Sequence, residues 1–171
     1  MNVPRTGAAR TVSLIGMPGA GKSTVGVLLA KLLGLDFTDT DLAIQVRHGA
    51  TLQALLDAEG YLRLRELEAQ VLMEIPLAGQ LVATGGSAVY SEKVMARLKS
   101  AGPVVFIDVP LAVIEQRVDN ADARGIARAP GAGLAEVYRE RQPLYERYAD
   151  ITVDGAAQPA EQTARLIASL L

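Results

Sequence analysis

Residues 13–26 read SLIGMPGAGKSTVG, an apolar run that breaks at glycines 16, 19 and 21 and resumes as a helical pattern. A strand that turns this sharply into a helix opens a βαβ unit, because a parallel neighbour strand can be reached only through a crossover. The alternation repeats down the chain. Apolar runs at 11–16, 35–39, 81–85, 104–109 and 151–154 predict strands. Amphipathic stretches at 22–33, 41–47, 51–58, 62–75, 91–99, 111–118, 134–148 and 159–171 predict helices. Five strands separated by helices predict an α/β fold with a five-stranded parallel sheet, and 171 residues suit a single domain, 1–171.

Half of the residues are hydrophobic but only 4% are aromatic, so the core is expected to consist of Leu, Val, Ile and Ala. Aromatic platforms for stacking bases are not expected. The 17 Lys and Arg nearly balance 19 Asp and Glu with no basic tail, which argues against nucleic acid or a membrane surface and for a small-molecule partner. The absence of Cys removes disulfides and thiolate zinc sites and fits a reducing compartment. The first ten residues lack an apolar signal core and no 18-residue apolar run follows, so a cytoplasmic protein is expected, with a monomer as the default.

The segment GMPGAGKS, 16–23, satisfies G-x-x-x-x-G-K-[ST] at every fixed position and stands at a strand-to-helix junction. Its glycines let successive N–H groups point inward, the following helix presents its positive end, and Lys22 can reach β and γ phosphates while Ser23 meets Mg²⁺. A glycine turn that binds nothing is the alternative, and the flanking strand and helix weigh against it. No guanine-specifying N-K-x-D segment is present, and the chain is too short for a motor or helicase core.

The second predicted strand ends in FTDTD, which puts Asp39 and Asp41 two apart and on one side of an extended segment, toward the crevice at the carboxyl edge of a parallel sheet. One acid can hold a hydrated Mg²⁺ while the other meets an acceptor hydroxyl. Alternatively Asp41 caps the next helix and Asp39 is solvated. In YLRLRELEAQVLMEI, Arg65 and Glu68 share a helix face, which by itself reads as a surface salt bridge. Arg141 reads as one arginine among several on a charged helix. Gly85 and Gly86 read as a turn or as a wall that a substrate approaches closely. His48 reads as a helix-end residue, and Asp108 as structural.

Taken together, these residues resemble the shikimate kinase family from Thr11 to Asp154: GMPGAGKST, DTD, LRELE, TGG, a lid segment and RQPLYERYAD follow in the family's order. The resemblance implies a three-layer α/β/α P-loop kinase fold of the nucleoside monophosphate kinase type, strand order 2-3-1-4-5. Its phosphate loop would span 16–24, its substrate-binding helical region about 41–75 and a mobile lid about 120–133. It implies that Gly19, Ala20, Gly21, Lys22, Ser23 and Thr24 hold ATP, with Arg117 beside the adenine and Arg124 descending from the lid onto the phosphates. Ser23 and Asp39 would serve the metal. Asp41 would take the reacting hydroxyl, Arg65 and Arg141 would clamp a carboxylate with Glu68 orienting Arg65, and Gly85, Gly86 and Ser87 would line the pocket.

The chain departs from the family pattern at Ser87, where a third glycine is usual, at Leu64, where phenylalanine is usual, and at Arg124-Gly125-Ile126-Ala127, where the lid reads R-P-L-L. The expected activity is ATP- and Mg²⁺-dependent phosphorylation of a hydroxyl on a small anionic polyol, shikimate first, on the route to aromatic amino acids. A kinase of another hydroxy acid or sugar acid, such as gluconate, is the neighbouring alternative. An inactive nucleotide-binding sensor is the alternative from another class. A nucleoside monophosphate kinase fits less well, since its phosphate acceptor calls for more lid arginines.

Overall fold

The structure, a computed structural model, describes residues 10–118 and 125–171. Strand β1 (Val12–Ile15) is buried along its whole length. It lies at the centre of a five-stranded sheet of order β2-β3-β1-β4-β5, with β2 at Asp36–Asp39, β3 at Gln80–Ala83, β4 at Val104–Asp108 and β5 at Ile151–Asp154. Every pair is parallel, with Ser13 opposite Val82 on one side and Val104 on the other. The expected α/β architecture and strand order are therefore those found. All carboxyl ends share one edge, so the loop after β1, Asp39, the turn after β3, Asp108 and Asp154 end along one crevice.

Around the sheet lie α1 (Lys22–Leu33), α2 (Thr40–His48), α3 (Leu52–Glu59), α4 (Tyr61–Glu74), α5 (Glu92–Ala101), α6 (Leu111–Val118), α7 (Leu134–Tyr148) and α8 (Ala160–Leu170). The main core joins β-strand residues such as Leu14, Leu81, Val105 and Ile107 to Leu29 of α1, Leu98 of α5 and Ile167 of α8. Each such side chain contributes about 1.5–3 kcal/mol on full burial. Its largest aromatic contact is Tyr145 of α7 against Phe106 of β4, with ring centroids 5.2 Å apart. A second, smaller core lies under α2, α3 and α4, where Ile44, Leu52, Leu55, Leu64, Leu67 and Val71 close around Ala127. The region 41–75 thus has its own apolar centre, and a residue of the segment after α6 completes it.

Boundaries shift for local reasons. Helix α2 starts at Thr40 because Asp39, the last residue of β2, is its N-cap, accepting from the N–H of Asp41 at 3.0 Å and of Leu42 at 3.2 Å. The alternative in which Asp41 caps this helix is thereby set aside, and its side chain is left for other work. Thr84 and Gly85, expected in β3, lie past its last residue, Ala83: Thr84 still donates to the Leu14 carbonyl of β1, through its N–H at 3.1 Å and its hydroxyl at 2.9 Å, and the Gly85 N–H turns to Thr40 Oγ1 at 2.9 Å. A single 3-10 turn, Ala88–Tyr90, follows. Among the described residues no helix is long and apolar enough to cross a membrane.

Candidate active site

The phosphate loop is built by backbone geometry. Gly21 precedes α1 with φ of +95°, and nothing lies within 4 Å of where a Cβ would stand, so the demand for glycine there is conformational. This bend starts α1 at Lys22 and aims its free N–H groups at the crevice. The Lys22 ammonium folds back onto the loop, donating to the carbonyls of Gly16 at 2.7 Å and Met17 at 2.8 Å. Burial lowers its pKa to about 8, against the pull of the Asp41, Glu68 and Asp39 charges and with a further push from Arg141. A phosphate oxygen would exchange dipoles for a full charge. Arg117 of α6 donates at 3.2 Å to the carbonyls of Gly19 and of Gly155, tying the loop to the segment after β5.

One cleft of about 730 Å³ runs from this loop to the small core, lined by Gly19 to Val25 at one end and by Asp41, Leu64, Glu68, Ser87, Ala127 and Arg141 at the other. Ser23, one of the lining residues, donates through Oγ to Asp39 Oδ2, while Asp39 Oδ1 caps α2. That hydroxyl and carboxylate are the pair a hydrated Mg²⁺ can use. Among the described residues no three His, Cys, Asp or Glu side chains converge, so the protein's donor set for such an ion is small and the remaining positions suit phosphate oxygens and water. The donor chemistry fits a nucleotide-bound Mg²⁺.

Asp41 and Glu68 face each other beside Gly85. A Cβ on Gly85 would overlap Glu68 Oε1 and stand 2.7 Å from Asp41 Oδ1. The missing side chain therefore makes room first for two carboxyl groups. Burial raises both: Asp41 to about 6, with Asp39 adding and Lys22 opposing, and Glu68 to about 7, with Asp41 adding and Ser87, Arg141 and Lys22 opposing. Gly86 is tight in turn, since a Cβ there would stand 2.7 Å from Arg141 Nη1.

The arginines differ from expectation. Arg141 is 1% exposed, so it belongs to the interior of α7 and not to a charged surface. Its Nη2 donates to the Ala127 carbonyl at 2.7 Å and its Nε to the Tyr90 hydroxyl at 3.3 Å. Arg65 is not paired with Glu68. Its guanidinium lies 3.8 Å above the Tyr90 ring and its Nη2 is 3.4 Å from the same Ala127 carbonyl. The expected orienting role of Glu68 is thus corrected, because Ser87 Oγ donates to Glu68 Oε2 and holds it elsewhere. Gly86, Ser87 and Arg141 line the cleft, and Arg65 and Gly85 are not among its lining residues.

Arg124 lies outside the described residues, as does the first part of the expected lid at 120–124. The described remainder docks closely, for a Cβ on Gly125 would stand 2.5 Å from the Leu52 backbone. His48 ends α2 exposed, and Asp108 accepts from Gln142 Nε2 at 3.1 Å. Sequence reasoning missed Tyr90 and the Ala127 carbonyl. Tyr90 carries no periodic signal, and a backbone carbonyl carries no residue signature.

The shikimate kinase family profile matches residues 18–171. A shikimate kinase of Halorhodospira halophila is 39% identical over 163 residues, 94% of this chain and 92% of the relative. The chain belongs to the shikimate kinase family. A shikimate kinase of Thermobifida fusca is 40% identical over 161 residues, 92% of each chain. Among solved structures, the shikimate kinase of Acinetobacter baumannii in complex with shikimate superposes with a TM-score of 0.85 at 32% identity, covering 95% of this chain and 93% of that one. Membership in the shikimate kinase family makes this protein an ATP-using phosphotransferase with a hydroxyl acceptor. The same fold extends to a sugar kinase of Janibacter at a TM-score of 0.56 and 19% identity.

Proposed function

We propose that this protein phosphorylates shikimate with ATP and Mg²⁺, giving 3-phosphoshikimate, and that the cleft residues act as follows. Lys22 and the loop N–H groups from Gly19 to Thr24 hold the β and γ phosphates, and Arg117 flanks the adenine. Ser23 and the Asp39 carboxylate would hold a hydrated Mg²⁺, which would supply charge neutralisation at the phosphates. Arg141, joined by Arg65, takes the acceptor's carboxylate, as planar guanidinium forks match it in shape. Gly86 and Ser87 form the adjoining wall.

Asp41 orients the acceptor hydroxyl and receives its proton. The acceptor oxygen bonds to the γ phosphorus as the bond from that phosphorus to the oxygen kept by ADP breaks. A carboxylate raised to about 6 is a stronger base than an ordinary aspartate while still ionised near neutrality. Arg124 adds positive charge at the phosphates, and most of the rate comes from positioning and electrostatics.

The observation that carries this reading is the continuity of one cleft from the phosphate loop to Asp41, Glu68 and Arg141. The relative solved with shikimate bound supports the choice of acceptor. The test is a coupled ADP-release assay with shikimate, gluconate and related hydroxy acids, run beside Asp41→Asn. Shikimate is expected to be turned over in preference, and Asp41→Asn to lose turnover while still binding ADP. Preferred turnover of another acid would replace the acceptor, and labelled ATP that binds without passing label to any acid would indicate a sensor.

A further inference from the structure

Tyr145 is a buried titratable side chain to which the proposed reaction gives no role. It is 0% exposed, with its ring stacked on Phe106 of β4. Its hydroxyl donates to the Gly86 carbonyl at 2.7 Å, and the Met17 sulfur of the phosphate loop lies 3.9 Å from the same oxygen. Burial pushes the phenol well above the usual tyrosine range, so it stays protonated and remains a donor at any working pH. Among the described residues no other group donates to the Gly86 carbonyl.

Gly86 itself has little freedom. A Cβ on it would stand 2.7 Å from Arg141 Nη1 and 2.8 Å from Pro18 Cδ of the phosphate loop. Arg141 precedes Tyr145 by four residues on α7, so the two share a helix face. One stretch of α7 therefore meets the turn after β3 twice, Arg141 by packing on Gly86 and Tyr145 by bonding to it. Gly86, Arg141 and Pro18 line the cleft, and Tyr145 is not among the lining residues. The phosphate loop has ties of its own, from Lys22 to the Gly16 and Met17 carbonyls and from Arg117 to those of Gly19 and Gly155.

We infer that Tyr145 is a positioning residue for the acceptor: its hydroxyl fastens the turn after β3 to α7 and so sets the gap between the Gly86 wall and the Arg141 guanidinium. Without it the Gly86 carbonyl loses its donor, the turn relaxes, and the wall and the guanidinium no longer stand at one fixed separation. A small misplacement of this kind is costly where a planar fork must meet a planar carboxylate. The inference rests on the acceptor reading given above and deepens it.

The experiment is steady-state kinetics and thermal melting of Tyr145→Phe, which keeps the ring on Phe106 and removes one oxygen atom. KM for the acceptor is expected to rise about tenfold, while KM for ATP stays within about twofold because the loop keeps its own ties. A lowered melting temperature with both KM values unmoved marks a purely structural residue and overturns the inference, as does an equal rise in both. In an Arg141→Lys background the same substitution is expected to change the acceptor KM by less than about twofold, since the fork it positions is already gone. A full tenfold rise there overturns the link to Arg141.

Wild type carrying carbon-13 at tyrosine Cζ supplies a readout that needs no altered chain. The Tyr145 resonance is expected to shift when the acceptor saturates the protein and to shift less with ADP alone; a resonance that ignores the acceptor contradicts the inference. Wild-type turnover decides the acceptor separately. Preference for an acid other than shikimate replaces the acceptor, and the Tyr145 comparison is then made with that acid.

Discussion

The Arg141 guanidinium, buried in α7, donates at 2.7 Å to the carbonyl of Ala127, a residue of the chain segment that completes the small core. One side chain thereby links α7, that segment and the cleft. Replacing Arg141 by Lys keeps the charge but loses the planar fork, and KM for the acceptor is expected to rise about 10- to 100-fold. Loss of the Ala127 and Tyr90 contacts is also expected to lower the melting temperature. Steady-state kinetics together with thermal melts check both parts, and an unchanged KM would remove Arg141 from acceptor binding.

Lys22 should separate activity from stability. Lys22→Met is expected to cut turnover at least about a hundredfold, because the ammonium that the phosphate loop itself directs at the β and γ phosphates is lost. Its pKa is lowered to about 8 from 10.5, so between those values the unfolded chain binds the proton more tightly than the folded one. This group's contribution therefore makes the ligand-free protein more stable as pH climbs through that window, by up to ~3 kcal/mol. The methionine variant should lose that rise in melts run from pH 7.5 to 10.5.

Glu68 predicts the opposite slope. Its pKa is raised from 4.5 to about 7, so the folded state holds the proton where the unfolded state has released it. Stability from this group is present below pH 4.5 and is lost as pH rises to about 7. Glu68→Gln is expected to gain up to ~3 kcal/mol over wild type at pH 8 and little at pH 4.5, in urea unfolding without ligands. Parallel curves for the two proteins across this range would show that Glu68 stays ionised in the fold.

Gly85→Ala tests the crowding between carboxyl groups. The added Cβ would overlap Glu68 Oε1, so one of the two acids must move. Displacement of about 1 Å at a reacting centre costs on the order of 100-fold in rate, and kcat/KM for the acceptor is expected to fall by about that factor. ADP affinity by calorimetry should remain within about twofold, since a change in both would indicate general disruption of the fold.

The five parallel strands, the phosphate loop and the acidic pair were legible because each rests on local rules: apolar runs of strand length, a glycine-defined bend, a two-residue spacing along an extended chain; the strand order came only with the family resemblance. Arg65 and Glu68 were misread as partners for the same reason. Spacing along α4 says they can meet, but Ser87, 19 residues beyond Glu68, and the Tyr90 ring decide that they do not. Taken alone, Arg141 read as one charge among several on its helix, and only the family resemblance set it in the substrate pocket; its burial depends on the tertiary placement of Tyr90 and Ala127. The Ala127 carbonyl had no sequence signal at all.

Asp39 closes β2 with a carboxylate whose two oxygens serve different masters, one starting α2 and the other joined to Ser23 on α1. The platform for the phosphate donor and the platform for the acceptor are thus riveted through a single short side chain. A lineage drifting toward a new acceptor can rebuild the three helices beyond this rivet, but it cannot retune the rivet for one substrate without disturbing the other.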